Sequence, residues 1–101
     1  MNALINKVKE WHYARNLIDG STDKAQFIKL VEELGELQDN IMAGTDFKDD
    51  IGDMLVVMIN LCERNYTTLE ECLEVAYNDI KDRTGKMVDG VFVKDGDNGN
   101  K

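Results

Sequence analysis

Apolar positions recur along this chain with the 3.6-residue period of a helix, interrupted at three short polar stretches. Leu4, Ile5, Val8, Trp11, His12 and Leu17 predict a first helix from about Ala3 to Ile18. It stops at Asp19-Gly20-Ser21-Thr22, where Gly20 reads as the C-cap and Ser21 or Thr22 as the start of the next helix. The second helix runs from about Asp23 to Met42 and ends at Ala43-Gly44. Thr45 or Asp46 then caps a third, from about Phe47 to Arg64. Thr67 or Thr68, followed by Glu70 and Glu71, opens a fourth over about Leu69 to Arg83, closed by Gly85. Beyond it, KMVDGVFVK places apolar residues on both sides of an Asp-Gly pair, the signature of a short hairpin. The polar, glycine-rich end, residues 95–101, predicts a disordered tail. The expected fold is all-α, a four-helix bundle in one domain over residues 1–94, with a short C-terminal β-hairpin and a flexible tail.

The third helix departs from the amphipathic pattern. Between Met54 and Cys62 eight of nine residues are apolar, and at helical spacing they point in every direction. A helix apolar all round must be buried all round, which four helices of one 101-residue chain do with difficulty. The pattern therefore predicts a homodimer, or a dimer of dimers, with this helix sandwiched between copies.

Charge narrows the function. Twenty acids against twelve bases give a net charge of −8, which excludes a nucleic-acid backbone as partner. A phosphorylated small molecule is still accessible if metal ions bridge the two sets of negative charge. The run Met54–Ile59 is too short to span a bilayer, and the mixed N-terminal residues lack the order of a secretory signal. Cys62 and Cys72 have neither CxxC spacing nor a neighbouring histidine and read as small hydrophobes of a reducing cytoplasm. The expected location is cytoplasmic.

The acids are arranged as well as numerous. At about 100° per residue, Gln26, Lys29, Glu33, Glu36 and Asn40 share a stripe roughly 80° wide on the second helix. Phe27, Leu30, Val31, Leu34, Leu37 and Ile41 fill the adjoining face, and Glu32 points further round. On the third helix Asp50 and Asp53 repeat the i, i+3 spacing immediately before the apolar run. If the two helices are antiparallel, the pairs face each other. Four converging carboxylates repel unless a hard divalent cation such as Mg²⁺ sits among them.

Glu32-Glu33-Leu34-Gly35-Glu36, followed by Asp50-Ile51-Gly52-Asp53, resembles the Glu-Glu-x-x-Glu and acid-x-x-Asp motifs of the MazG-type, all-α nucleoside triphosphate pyrophosphohydrolases. The likeness extends from about Trp11 to Lys94, to the short stand-alone type of bacteria and their phages. The family has glutamate where this chain has Asp50, one methylene shorter. The resemblance implies Mg²⁺-dependent hydrolysis of a (deoxy)nucleoside triphosphate to the monophosphate and pyrophosphate, with Mn²⁺ as a possible substitute. It implies Glu33, Glu36, Asp50 and Asp53 as metal ligands and Glu32 as a helper of the attacking water. Lys29, Asn78, Lys81 and Arg83 are the implied phosphate contacts. Trp11 and His12 with Gln26 would form an aromatic and amide pocket for the base. The implied setting is a bacterial or phage-infected cell, and the implied role is clearing or adjusting a nucleotide pool.

A second reading belongs to another class: a non-catalytic acidic protein that binds a partner, as a phage-type inhibitor or nucleic-acid mimic. The two differ in how charge is displayed. A mimic spreads its carboxylates over an exposed surface, whereas the enzyme converges them beside the core.

Overall fold

The computed structural model describes residues 2–96. The helices are α1 (Asn2–Ala14), α2 (Asp23–Ala43), α3 (Lys48–Arg64) and α4 (Leu69–Ile80), and β1 (Gly85–Val88) and β2 (Val91–Lys94) follow. The chain is thus mostly helical with one small antiparallel hairpin, and it divides into a unit of residues 1–69 and a second beginning at Glu70.

The first helix ends four residues sooner than its periodicity predicts. Asn16 takes a left-handed conformation (φ 56), Leu17 N donates to His12 O at 2.9 Å and Asn16 N donates to Tyr13 O at 3.1 Å. That is a Schellman ending with asparagine in the usual glycine place, so Asn16 and not Gly20 is the cap. Gly20 serves packing instead, because a Cβ there would lie 2.5 Å from the Asn16 side chain. Thr22 opens α2 by accepting Ala25 N at 3.0 Å, and Gly44 (φ 72) closes it, both as expected. At the start of α3 the Asp46 side chain accepts Lys48 N at 3.1 Å, while Thr45 turns back to Asn40.

Within the first unit α3 is central, with α1 and α2 packed against it. Its residues from Gly52 to Arg64 are all buried or half-buried in a single chain. The bare apolar surface lies on α2, where Phe27, Val31, Leu34 and Ile41 are 49–59% exposed. Only Leu30 and Leu37 of that stripe are half-buried.

Polar links register the helices. His12 is 2% exposed, and its Nε2 lies 2.9 Å from the Val56 carbonyl, which only accepts, so Nε2 carries the proton. Its Nδ1 then accepts from Asn60 Nδ2 at 3.3 Å, and the same amide donates to Leu17 O at 2.9 Å. Arg64 donates to the Ile18 carbonyl and to Asp23 Oδ1, and Tyr13 donates to Glu63 at 2.7 Å. The single polar residue of the apolar run, Asn60, is wholly buried and ties α3 to the end of α1.

In the second unit α4 ends at Ile80, three residues before the sequence reading. Arg83 N donates to Ile80 O, and Gly85, expected to close the helix, begins β1. A Cβ on Gly85 would collide with the Val93 carbonyl across the pair. The hairpin forms where predicted, with Val88 opposite Val91 and the turn residues Asp89 (φ 52) and Gly90 (φ 81) both left-handed. Asp95, assigned to the tail, is fixed: its N donates to Thr84 O at 2.8 Å and its carboxylate accepts Thr84 Oγ1 at 2.6 Å. The rest of the expected tail, residues 97–101, lies outside the described residues.

Candidate metal centre

The tight Gly44 turn returns the chain so that α3 runs antiparallel along α2, with Asn40 beside Asp50 and the Glu33–Glu36 pair beside Asp53. Carboxylate oxygens of Glu33, Glu36 and Asp53 lie within 4.8 Å of one another. Three acids from two helices thus meet at one point, as the paired i, i+3 spacing predicts. They form a graded set: Glu33 is buried at 6% exposure, Asp53 is half-buried and Glu36 is open to solvent. Glu36 leaves one side of the group open to solvent.

The electrostatics record the crowding. Burial is the main cause that lifts the Asp53 carboxyl above its ordinary value, followed by the charges of Asp49 and Glu33, a shared hydrogen bond with Glu33, and Asp50. Glu36 is raised chiefly by the Glu33 charge, then by desolvation and by Asp50, and Lys29 partly offsets this. Lys29 Nζ lies 3.2 Å from Glu33 Oε2 and 3.7 Å from Glu32 Oε1, and its own pKa is raised mainly by the bond to Glu33. One lysine cannot neutralise this group. The other oxygen of the buried carboxylate, Glu33 Oε1, has no hydrogen-bond donor. Two carboxylates can share a proton, but once both are ionised nothing between Glu33 and Asp53 donates. A buried, donor-less carboxylate oxygen beside two more carboxylates is a ligand set of hard, anionic oxygens, which suits Mg²⁺ or Mn²⁺.

Asp50 is absent from this group of three. It is buried at 6% exposure, and its Oδ2 accepts from Asn40 Nδ2 at 2.6 Å. Thr45 Oγ1 in turn donates to Asn40 Oδ1 at 2.7 Å. The shorter side chain is taken up by a Thr45–Asn40–Asp50 latch that fastens the end of α2 to the start of α3, and it acts on the cluster through its charge. Asn40 shares the acid stripe of α2, so its position was legible although its role was not. Asp49, which suits the helix dipole at the first turn of α3, also raises Asp53.

The remaining candidates separate. Lys29 is at the cluster, and Glu32 is exposed beside it. His12 is spent on the α1–α3 link. Gln26 donates to Ser21 Oγ at 3.0 Å, at the start of α2 and away from the acids. Trp11 is 45% exposed, with the Arg15 guanidinium 4.4 Å above its ring. It lines a cleft of about 420 Å³ with Leu4, Lys7, Val8, Val56 and Asp53. Asp53 therefore belongs both to the acid cluster and to this largely apolar cleft. Asn78, Lys81 and Arg83 belong to the second unit, where Arg83 pairs with Asp79 at 3.2 Å.

No family model and no solved structure matches the chain. Over 68 residues it is 41% identical to a protein of Haemophilus phage HP1 (strain HP1c1) described as an uncharacterized 18.2 kDa protein in the rep-hol intergenic region. The match covers 65% of this chain and 42% of the phage protein, so the chain spans less than half the length of that relative.

Proposed function

We propose that the chain is a Mg²⁺-dependent nucleoside triphosphate pyrophosphohydrolase of the MazG-like, all-α bundle type. The observation that carries this reading is the meeting of Glu33, Glu36 and Asp53 around a buried carboxylate oxygen that has no donor. A partner-binding mimic would display its acids apart on the surface. Here the decisive ones converge against α3.

Glu33, Glu36 and Asp53 would hold the ion, with Asp50 adding negative charge from behind. A divalent ion there would neutralise triphosphate charge and lower the cost of activating water at the α–β anhydride. Glu32, exposed and paired with Lys29 at 3.7 Å, would accept the proton of the attacking water. Lys29 holds Glu33 in position and opposes the phosphate charge. The cleft bordered by Trp11 and Asp53 accommodates the base, its ring against the indole, which leaves His12 and Gln26 out of recognition. Asn78, Lys81 and Arg83 are proposed as phosphate contacts on the family resemblance alone. The setting proposed is the cytoplasm of a bacterial or phage-infected cell, with the nucleotide pool as the target.

The test is pyrophosphate release from a panel of canonical and modified NTPs and dNTPs, with and without Mg²⁺. The native chain should release pyrophosphate from at least one nucleotide only when the metal is present. Glu36→Gln should slow this by roughly 100-fold or more while keeping native helix content. No release from any nucleotide overturns the assignment, as does release that Glu36→Gln leaves unchanged.

A further inference from the structure

Glu33 is the buried member of the acid group, and its two carboxylate oxygens have unlike surroundings. Oε1 is buried and has no donor. Oε2 is held by Lys29 Nζ at 3.2 Å, from one turn earlier on α2. The same ammonium lies 3.7 Å from Glu32 Oε1, so two acids of one helix fix it in place. Its bond to Glu33 is the main cause that raises its pKa, and it stays charged wherever the acids are ionised. All three residues lie within α2, so the arrangement is internal to that helix.

An ion can take Glu33 through one oxygen or through both. Ca²⁺ fills about six to eight oxygen positions and often draws both from one carboxylate, whereas Mg²⁺ demands a tight octahedron and keeps several waters. Using both oxygens of Glu33 either pulls Oε2 away from Lys29 or sets the ion against a fixed ammonium at close range. Using Oε1 alone disturbs neither. We propose that Lys29 sets the ion selectivity of this centre: by holding Oε2 it makes Glu33 a one-oxygen ligand through Oε1, which disfavours Ca²⁺ relative to Mg²⁺. This role rests on the acid group binding a divalent ion, and it adds a positioning residue that acts through Glu33. Charge and placement have separate signatures. Loss of the ammonium should tighten the binding of every divalent ion, because a positive charge leaves the site. Only the release of Oε2 changes the preference between two ions of equal charge.

Competition titrations of Mg²⁺ and Ca²⁺ on the chain, read by calorimetry with circular dichroism as the check on folding, measure that preference. In Lys29→Met the ratio of Ca²⁺ to Mg²⁺ affinity should rise about tenfold or more over the native chain, with helix content retained. Lys24→Met removes an equal charge from an exposed position of the same helix and should leave the ratio at its native value. An unchanged ratio in Lys29→Met overturns the role of Lys29 while leaving metal binding in place, as does an equal rise in Lys24→Met. Binding of neither ion by the native chain overturns metal binding and this role with it.

Discussion

At Glu33, burial and the want of a donor on Oε1 decide what the neighbouring acids do. The raised pKa values of Asp53 and Glu36 have a definite sign. Between their ordinary values of 3.8 and 4.5 and their folded values, the native state holds more protons than the unfolded chain, so stability falls as pH rises through that window. Asp23 works the other way: lowered by its bonds to Arg64 and Asn65, it contributes stability above 3.8 that is lost as pH falls through its folded value. Metal-free protein should accordingly gain thermal stability when Asp53 is changed to Asn at about pH 7, because one of the crowded charges is removed. The same substitution should abolish the rise in Tm, about 5 °C or more at a tenfold excess over Kd, that Mg²⁺ gives the native chain. Thermal melts of both proteins with and without the ion check this, and an equal response of the two would contradict it. The buried amide of Asn60 offers a second residue-scale test. Asn60→Ala strips Leu17 O and His12 Nδ1 of their donor and should cost about 2–3 kcal/mol by urea unfolding.

At the scale of elements, ends were harder to read than interiors. α2 and α3 were legible because Thr22, Gly44 and the apolar period all agree on their limits. α1 was overrun because its periodicity continues through Leu17 and Ile18 after the backbone has already turned at Asn16, a residue less often left-handed than glycine. α3 closes the same way with a worse residue. Tyr66 (φ 58) occupies the left-handed place after the helix, and Thr67 N donates to Cys62 O at 3.0 Å. Tyr66 is 97% exposed, so little packing compensates. Tyr66→Gly should therefore stabilise the chain by about 1 kcal/mol, read as a higher urea midpoint with unchanged slope. The hairpin was legible from Asp89-Gly90 alone, since few dipeptides accept two left-handed residues in succession. Of the site, the Glu33–Glu36 and Asp53 meeting followed from i, i+3 spacing on adjacent helices. The capture of Asp50 by Asn40 did not, because a side chain's choice between an amide and an ion depends on a methylene's length in three dimensions. His12 misled for a related reason: a lone histidine near a tryptophan suggests a pocket, and only the fold reveals that its nitrogens face Val56 and Asn60.

For the whole molecule, the acidic balance and the cluster belong to one account. A chain at −8 repels a triphosphate unless cations lie between them, and Glu33, Glu36 and Asp53 bring three of its carboxylates together at one point. No described helix is long and apolar enough to cross a membrane, which agrees with the reading of Met54–Ile59 as too short to span a bilayer. The most direct measurement is a calorimetric titration of the chain with Mg²⁺, repeated with Mn²⁺ and followed by its paramagnetic signal. Saturable binding of either ion to the native chain, weakened at least roughly tenfold in Glu33→Gln with the fold intact, is the predicted result. Equal binding by both proteins, or none by the native chain, would contradict it.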